Sequence, residues 1–197
     1  PVIVDAAAEV PPRSNLSKFH NMGADMVAFS GGKGIGGPQS AGVLAGKAEL
    51  MEAVVMNSLN LDSSVAGIGR PMKVSKENIV GMVTALQLFT DSDEAAELAG
   101  WHSKAEFVAE RLTGIAGLRV VIEDDPAERQ GPQPVLYFDD NFDGPSIDEI
   151  KQQLEDGDPG IYVGGGGSRA EINIVMVNVQ DGEEIIIAER LNEILRS

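Results

Sequence analysis

The stretch Phe29-Ser30-Gly31-Gly32-Lys33-Gly34-Ile35-Gly36-Gly37-Pro38-Gln39-Ser40 sets a single lysine among glycines, directly after an apolar run. Glycine lets a chain turn tightly and leaves no side chain in the way, so a ligand can approach such a backbone and meet the lysine amine. A phosphate loop of the Walker type needs Gly-Lys followed by Ser or Thr; Lys33 is followed by Gly34, which argues against that reading. From the motif alone two readings stand: an amine presented to a ligand, and a glycine-rich turn carrying a solvated lysine.

A second residue bears on the choice. Val2-Ile3-Val4 closes on Asp5, much as Met26-Val27-Ala28-Phe29 closes on Ser30 to Lys33. Both are short apolar runs ending in polar or small residues, the pattern of buried strands in a parallel sheet. Adjacent parallel strands would deliver Asp5 and Lys33 to the carboxyl edge of one sheet, where α/β folds bind ligands. An amine and a carboxylate there meet the needs of pyridoxal 5'-phosphate (PLP). The amine holds the aldehyde as a Schiff base, and the carboxylate favours the protonated ring nitrogen, which makes the ring a better electron sink. Asp5 has a competing reading as the N-cap of Ala6-Ala7-Ala8.

The elements that must position these residues follow from pattern. Pro11, Pro12 and a weak amphipathic stretch near Leu16 and Phe19 predict a crossover between the two strands, Gly42 to Ala45 another buried strand, and Lys47 to about Val55 a helix. Around residues 60 to 74 the pattern becomes irregular, which predicts a domain boundary near 70: residues 1–70 as one part, 71–197 as the other. Ser75 is read as the N-cap of a helix with the stripe Ile79, Met82, Val83, Leu86 and Phe89. Asp91-x-x-Glu94 reads as a capping box opening a helix that shows Leu98, Trp101, Ala105, Val108 and Leu112 and stops near Gly114. Strands are predicted at Val120 to Ile122, Val135 to Phe138, Ile161 to Val163 and Ile172 to Val177. A helix opens on the box Ser146-x-x-Glu149, and a last one carries Ile187, Leu191, Ile194 and Leu195. The fold class is α/β.

Composition removes several alternatives. The chain has 197 residues and no cysteine, so disulfides, thiolate zinc sites and cysteine nucleophiles are excluded; two histidines make a protein-ligated metal improbable. His20 and His102 are read as structural rather than catalytic. Lys and Arg number 15 against 31 Asp and Glu, a net charge of -16 that repels polyanions, so no nucleic-acid partner is expected. No apolar run approaches the roughly 18 residues of a membrane span, and the N-terminal residues given lack the basic stretch and apolar run of a signal peptide, so no membrane partner and a cytoplasmic location are expected. Opening on Pro1-Val2-Ile3-Val4-Asp5, the chain reads as one entered in mid-fold.

Val4-Asp5-Ala6-Ala7-Ala8-Glu9-x-Pro11-Pro12, Gly23-Ala24-Asp25, Phe29 to Lys33, Gly37-Pro38-Gln39-Ser40-x-Gly42 and Gly69-Arg70-Pro71-Met72-Lys73-Val74 together resemble the group related to bacterial selenocysteine synthase, L-seryl-tRNA(Sec) selenium transferase. Within it they look most like D-glucosaminate-6-phosphate ammonia lyase. The resemblance implies the C-terminal half of a fold-type-I (aspartate aminotransferase-like) PLP enzyme, comprising the end of the large-domain sheet and the small C-terminal α/β domain. It implies Lys33 as the imine lysine and Asp5 as the partner of the ring nitrogen, with Ser30, Gly37 and Gln39 at the cofactor, Gln39 on its phosphate. It further implies an N-terminal half, absent here, that supplies the phosphate loop and the ring-stacking residue. Relatives carry basic residues where this chain has Gly36 and Gly164 to Gly167, leaving Arg70 and Arg169 as candidates for a substrate carboxylate or phosphate.

The expected activity is that of a PLP-dependent lyase removing ammonia, with β-elimination, from an amino acid or phosphorylated aminosugar acid, in a homodimer or higher homo-oligomer. The alternatives are a PLP-dependent aminotransferase or selenium transferase, and a binding or oligomerisation module without activity of its own.

Overall fold

A computed structural model describes residues 1–58, 67–125, 131–166 and 169–196. The chain divides into two compact units, residues 1–93 and 94–197.

In the first unit β1 (Ile3–Asp5) lies parallel to β2 (Met26–Ser30), with Asp5 opposite Ala28, and β3 (Gly42–Gly46) runs antiparallel on the other side of β2. α1 (Asn15–Asn21) makes the expected crossover. α2 (Ala48–Asn57) follows β3, a short 3-10 turn spans Arg70–Met72, and α3 (Lys76–Asp91) closes the unit. Ser75 caps α3 as predicted, its hydroxyl accepting the Asn78 N–H at 3.2 Å. The compact unit thus ends one helix beyond the boundary expected near residue 70, because Met82 and Ala85 of α3 share a core with Val10, Val27, Phe29 and Ile35.

The expectation of fully buried strands is corrected. In β2 only Val27 and Phe29 are buried, alternating with half-buried neighbours, and β1 is an edge strand whose Ile3 is 63% exposed. Within this unit the sheet has one covered face, so period-2 alternation replaces the two-sided burial expected of a parallel interior. β3 is likewise largely exposed. On α3 the predicted stripe narrows: Met82 is buried and Leu86 and Phe89 pack on the core, while Ile79 and Val83 face outward.

The second unit begins with α4 (Glu94–Arg111). Asp91 does not open it; Asp91 ends α3, whose last turn closes with the Ser92 N–H donating to the Leu88 carbonyl at 3.0 Å. Ala105, Val108 and Leu112 are buried as expected, and a turn through Gly114 and Gly117, both at positive φ, leads to β4 (Leu118–Glu123). β5 (Gln133–Phe138), β6 (Gly164–Gly166) and β7 (Arg169–Asn173) complete an antiparallel sheet of order β4-β5-β7-β6. α5 (Ile147–Glu155) shows the predicted capping box in full, and α6 (Glu183–Leu195) buries Ile187, Ala188, Leu191, Ile194 and Leu195 at helical spacing.

Two predicted strands move. Ile161 to Val163 is not a strand: the Ile161 N–H donates to the Leu154 carbonyl at the end of α5. Ile161 and Val163 pack inward around an exposed Tyr162, so the alternation imitates a strand while the ladder forms on the glycines that follow. β7 starts earlier than expected and gives way at Met176 to a 3-10 turn.

Candidate active site

Asp5 and Ser30 end the neighbouring parallel strands β1 and β2, and Lys33 follows Ser30 by one turn. The two chain segments leaving this carboxyl edge touch. The Ala6 N–H donates to the Ala28 carbonyl at 2.9 Å, and a side chain added to Gly34 would collide with the Val10 carbonyl oxygen and, at 3.0 Å, with Pro11 Cδ. Asp5 and Lys33 are both exposed, and among the described residues Lys33 Nζ has no hydrogen-bond or ion-pair partner. No helix follows Asp5, so it is not the N-cap of Ala6-Ala7-Ala8; instead one Asp5 oxygen accepts the Ala7 N–H at 3.0 Å, closing a tight local turn that fixes the carboxylate's direction.

The lysine loop is cross-braced by its own backbone. The Gly31 N–H donates to Ala41 O (2.9 Å), the Gly37 N–H to Gly31 O (2.7 Å) and the Gly36 N–H to Lys33 O (2.8 Å). Gln39 Nε2 donates to Gly32 O at 3.0 Å.

The glycines explain themselves differently from the expectation of open backbone. A Cβ on Gly31 would meet Met82 Sδ and, at 2.6 Å, Ala41 O; one on Gly32 would lie 2.5 Å from Gln39 Oε1; one on Gly37 would lie 3.1 Å from Ala85 Cβ. Of the glycines in this motif, only Gly36 combines positive φ with open space. Most of this motif is glycine because neighbouring segments press against it, which holds the lysine-bearing turn in one conformation.

The other candidates are placed as follows. Arg70 is exposed in the 3-10 turn of the first unit, and Arg169 opens β7 of the second, opposite Gly166. His20 is exposed on α1, while His102 Nε2 lies 3.2 Å from Asp124 Oδ2. A groove of about 380 Å³ in the second unit is lined by Ile161, Tyr162, Val163, Ile174 and Ile187, with Glu183 its charged residue, and gathers none of the candidate site residues. Among the described residues no helix is long and apolar enough to cross a membrane.

The donor set fits PLP: a primary amine free to take up an aldehyde, and an anchored carboxylate on the same sheet edge to face a pyridinium. The chain matches solved structures over its whole length. Against D-glucosaminate-6-phosphate ammonia-lyase the TM-score is 0.69 with 29% identity, covering 100% of this chain and 49% of that one. Against an alanine–glyoxylate aminotransferase from Nostoc sp. it is 0.61 with 18% identity, a likeness of fold alone. The architecture is that of the fold-type-I PLP-dependent enzymes.

The family model of L-seryl-tRNA selenium transferase matches residues 6–125, and the chain belongs to that family. The cofactor that goes with the family is pyridoxal 5'-phosphate. Among curated relatives, a 5'-C-glycyluridine monooxygenase-decarboxylase from Streptomyces sp. is 31% identical over 99% of this chain and 46% of the relative. A D-glucosaminate-6-phosphate ammonia lyase from Salmonella typhimurium is 31% identical over 98% and 48%. An L-seryl-tRNA(Sec) selenium transferase from Solidesulfovibrio magneticus is 29% identical over 78% and 35%. The chain therefore spans about half the length, or less, of the relatives it matches.

Proposed function

We propose that the complete protein is a PLP-dependent lyase that removes ammonia, with β-elimination, from an amino acid or a phosphorylated aminosugar acid. The observation that carries this reading is Asp5 at the end of β1 and Lys33 in the turn that leaves the adjacent parallel strand β2, in a chain similar over its whole length to an ammonia lyase. The bound cofactor would supply an electron sink for charge developing at the substrate's Cα.

Lys33 would hold the cofactor through its amine. Once exchanged for the substrate amine, it would take the Cα proton as general base, its exposed position leaving it free to swing between the two tasks. Asp5, held by the Ala7 N–H, would keep the ring nitrogen protonated. Loss of the β substituent and hydrolytic release of ammonia would follow.

Ser30, Gly37 and Gln39 line the same loop and are the proposed cofactor contacts. One N–H of the Gln39 amide is committed to Gly32, and the other would serve a phosphate oxygen. Arg70 and Arg169 are the proposed anchors for a substrate carboxylate or phosphate. The net charge of -16 disfavours a tRNA substrate relative to a small molecule, and we place the protein in the cytoplasm as a homodimer or higher homo-oligomer.

The test is borohydride reduction of the PLP-loaded complete protein followed by peptide mapping, with ammonia release from phosphorylated aminosugar acids as the activity. The expected label is on Lys33 and vanishes in Lys33→Ala. A label elsewhere, or tRNA binding at low salt without ammonia release, would overturn the reading.

A further inference from the structure

We propose that helix α3 sets the spacing between Asp5 and Lys33, gripping the lysine loop through Asn78, Gly81, Met82 and Ala85 and the aspartate loop through Arg13. These five would then be positioning residues for the cofactor. The proposal rests on the reading of Asp5 and Lys33 given above and adds what fixes their separation.

Positions 78, 81, 82 and 85 follow the i, i+3, i+4, i+7 spacing that lines up one face of a helix. Each meets the loop around Lys33. Asn78 Nδ2 donates to Ser40 Oγ at 2.6 Å. A Cβ on Gly81 would stand 2.9 Å from Pro38 Cγ. Met82 Sδ and Ala85 Cβ occupy the space that side chains on Gly31 and Gly37 would need.

The C-terminal end of the same helix is held from the other loop. Arg13 lies two residues beyond Pro11, in the segment that leaves Asp5. Its Nη2 donates to Ser92 O at 2.9 Å and to Ser92 Oγ at 2.8 Å, and its guanidinium lies 5.6 Å from the centre of the Phe89 ring. A cation at helix C-terminal carbonyls is a favourable placement.

One rigid rod therefore touches both loops, and its length carries the position of one to the other. A misplacement of about 1 Å between reacting groups can cost on the order of 100-fold in rate, so such a brace bears directly on function. Gly81 supports this over a purely structural account. Glycine in a helix interior is unfavourable relative to alanine, and here it admits the loop proline.

The experiment uses the complete protein loaded with PLP and reads three quantities: the pH midpoint of the cofactor's visible absorption band, the PLP dissociation constant, and the thermal midpoint without cofactor. Gly81→Ala is the sharpest variant, since it improves helix propensity while pushing Pro38. The expected result is a shifted band midpoint and a PLP dissociation constant raised by about tenfold, with a thermal midpoint equal to or above wild type.

Met82→Ala and Arg13→Ala should shift the same two cofactor readouts, and Met82→Leu, close in volume, should restore them. Val80→Ala on the exposed side of α3 should leave all three unchanged. If Met82→Ala fails to fold, Arg13→Ala and Asn78→Ala carry the comparison.

The proposal is overturned if Gly81→Ala and Arg13→Ala keep the wild-type band midpoint and dissociation constant, or if Val80→Ala shifts them equally. Lys33→Ala runs alongside: retention of borohydride-fixed PLP in that variant defeats the lysine assignment itself. Loss of it, with wild-type behaviour in the α3 variants, defeats only the brace.

Discussion

The two compact units are of similar length, yet they bury apolar side chains very differently. Among the described residues the second gathers fifteen buried apolar residues between one antiparallel sheet and helices α4, α5 and α6. The first gathers eight, and leaves Val2, Ile3, Val55, Met56, Ile79, Val80, Val83 and Leu88 more than half exposed. Hydrophobic stabilisation scales with apolar area removed from water, so the second unit has the means to hold itself together and the first has far less. The candidate site lies in the thinly packed unit. What keeps its loops in place is local: glycines pressed by neighbours, backbone hydrogen bonds and a helix pinned at both ends.

The contrast is broken most directly by core truncation. Leu191→Ala in α6 or Ile172→Ala in β7 removes a fully buried side chain and should cost about 2–5 kcal/mol in denaturant unfolding of the second unit. Val83→Ala in α3, at 52% exposure, should change stability by about 0.5 kcal/mol or less. If Val83→Ala in the complete protein costs as much as a core truncation, that face is covered there and the contrast belongs to this chain alone.

Glycine substitutions come next. Gly117→Ala in the second unit combines a φ of +73° with a collision against the Phe142 backbone, and should destabilise by more than the 1–2 kcal/mol of left-handed strain alone. Gly114→Ala, at φ +80° with open space, should show only about that strain. In the first unit Gly34→Ala meets the Val10 carbonyl across the two site loops. Its expected mark is loss of PLP retention on dialysis together with a lowered thermal midpoint, because Val10 and the adjacent Ile35 both belong to the first unit's core.

Caps should behave alike in the two units, which makes them a control. Ser146→Ala removes a full capping box and Ser75→Ala a single cap bond, and each should cost about 0.5–2 kcal/mol by thermal unfolding, with Ser146 the larger.

How much of this was legible in the sequence depended on whether the signal was local. The Ser146-Glu149 box and the α6 stripe involve residues one or two turns apart, and both appear as read. The ends of β1 and β2 were also legible, which put Asp5 and Lys33 on one edge. Asp91-x-x-Glu94 misled because the same residue types suit a helix end when an arginine from elsewhere, Arg13, reaches the following Ser92. The strand on Gly164–Gly166 was hidden because glycine lacks the side chains that mark strands, whereas Ile161 to Val163 had the alternation without the ladder. The grip of α3 on the lysine loop was invisible for a related reason. Met82 carries the same apolar signal whether it faces a sheet or a glycine, and the unexplained Gly81 in mid-helix was the one available hint.

The smallest expected effect concerns pH and again separates the units. Asp25 accepts the Val2 N–H at 2.6 Å and pairs with Lys47, tying the start of β1 to the start of α2. The hydrogen bond from Lys47, then that from Val2, holds the Asp25 carboxyl below its ordinary 3.8. The hydrogen bond to Asp25 raises the Lys47 ammonium above its ordinary 10.5. A depressed carboxyl stabilises fully above 3.8, and that contribution disappears as pH falls through the lower folded value; a raised ammonium stabilises fully below 10.5, and its contribution disappears as pH rises through the higher folded value. Between those limits the pair contributes its whole, solvent-screened amount. Lys47→Met should therefore flatten the acid limb of the first unit's stability profile. The acid limb of the second unit, where Glu149 is held below its ordinary 4.5 by Ser146, should be untouched. Hydrogen exchange at the Val2 and Ala24 to Met26 amides against those of α5, followed from pH 3 to 7, would read the two separately. Equal responses in both units to Lys47→Met would mean that they unfold as one, and that the thin packing of the first is supported by the second.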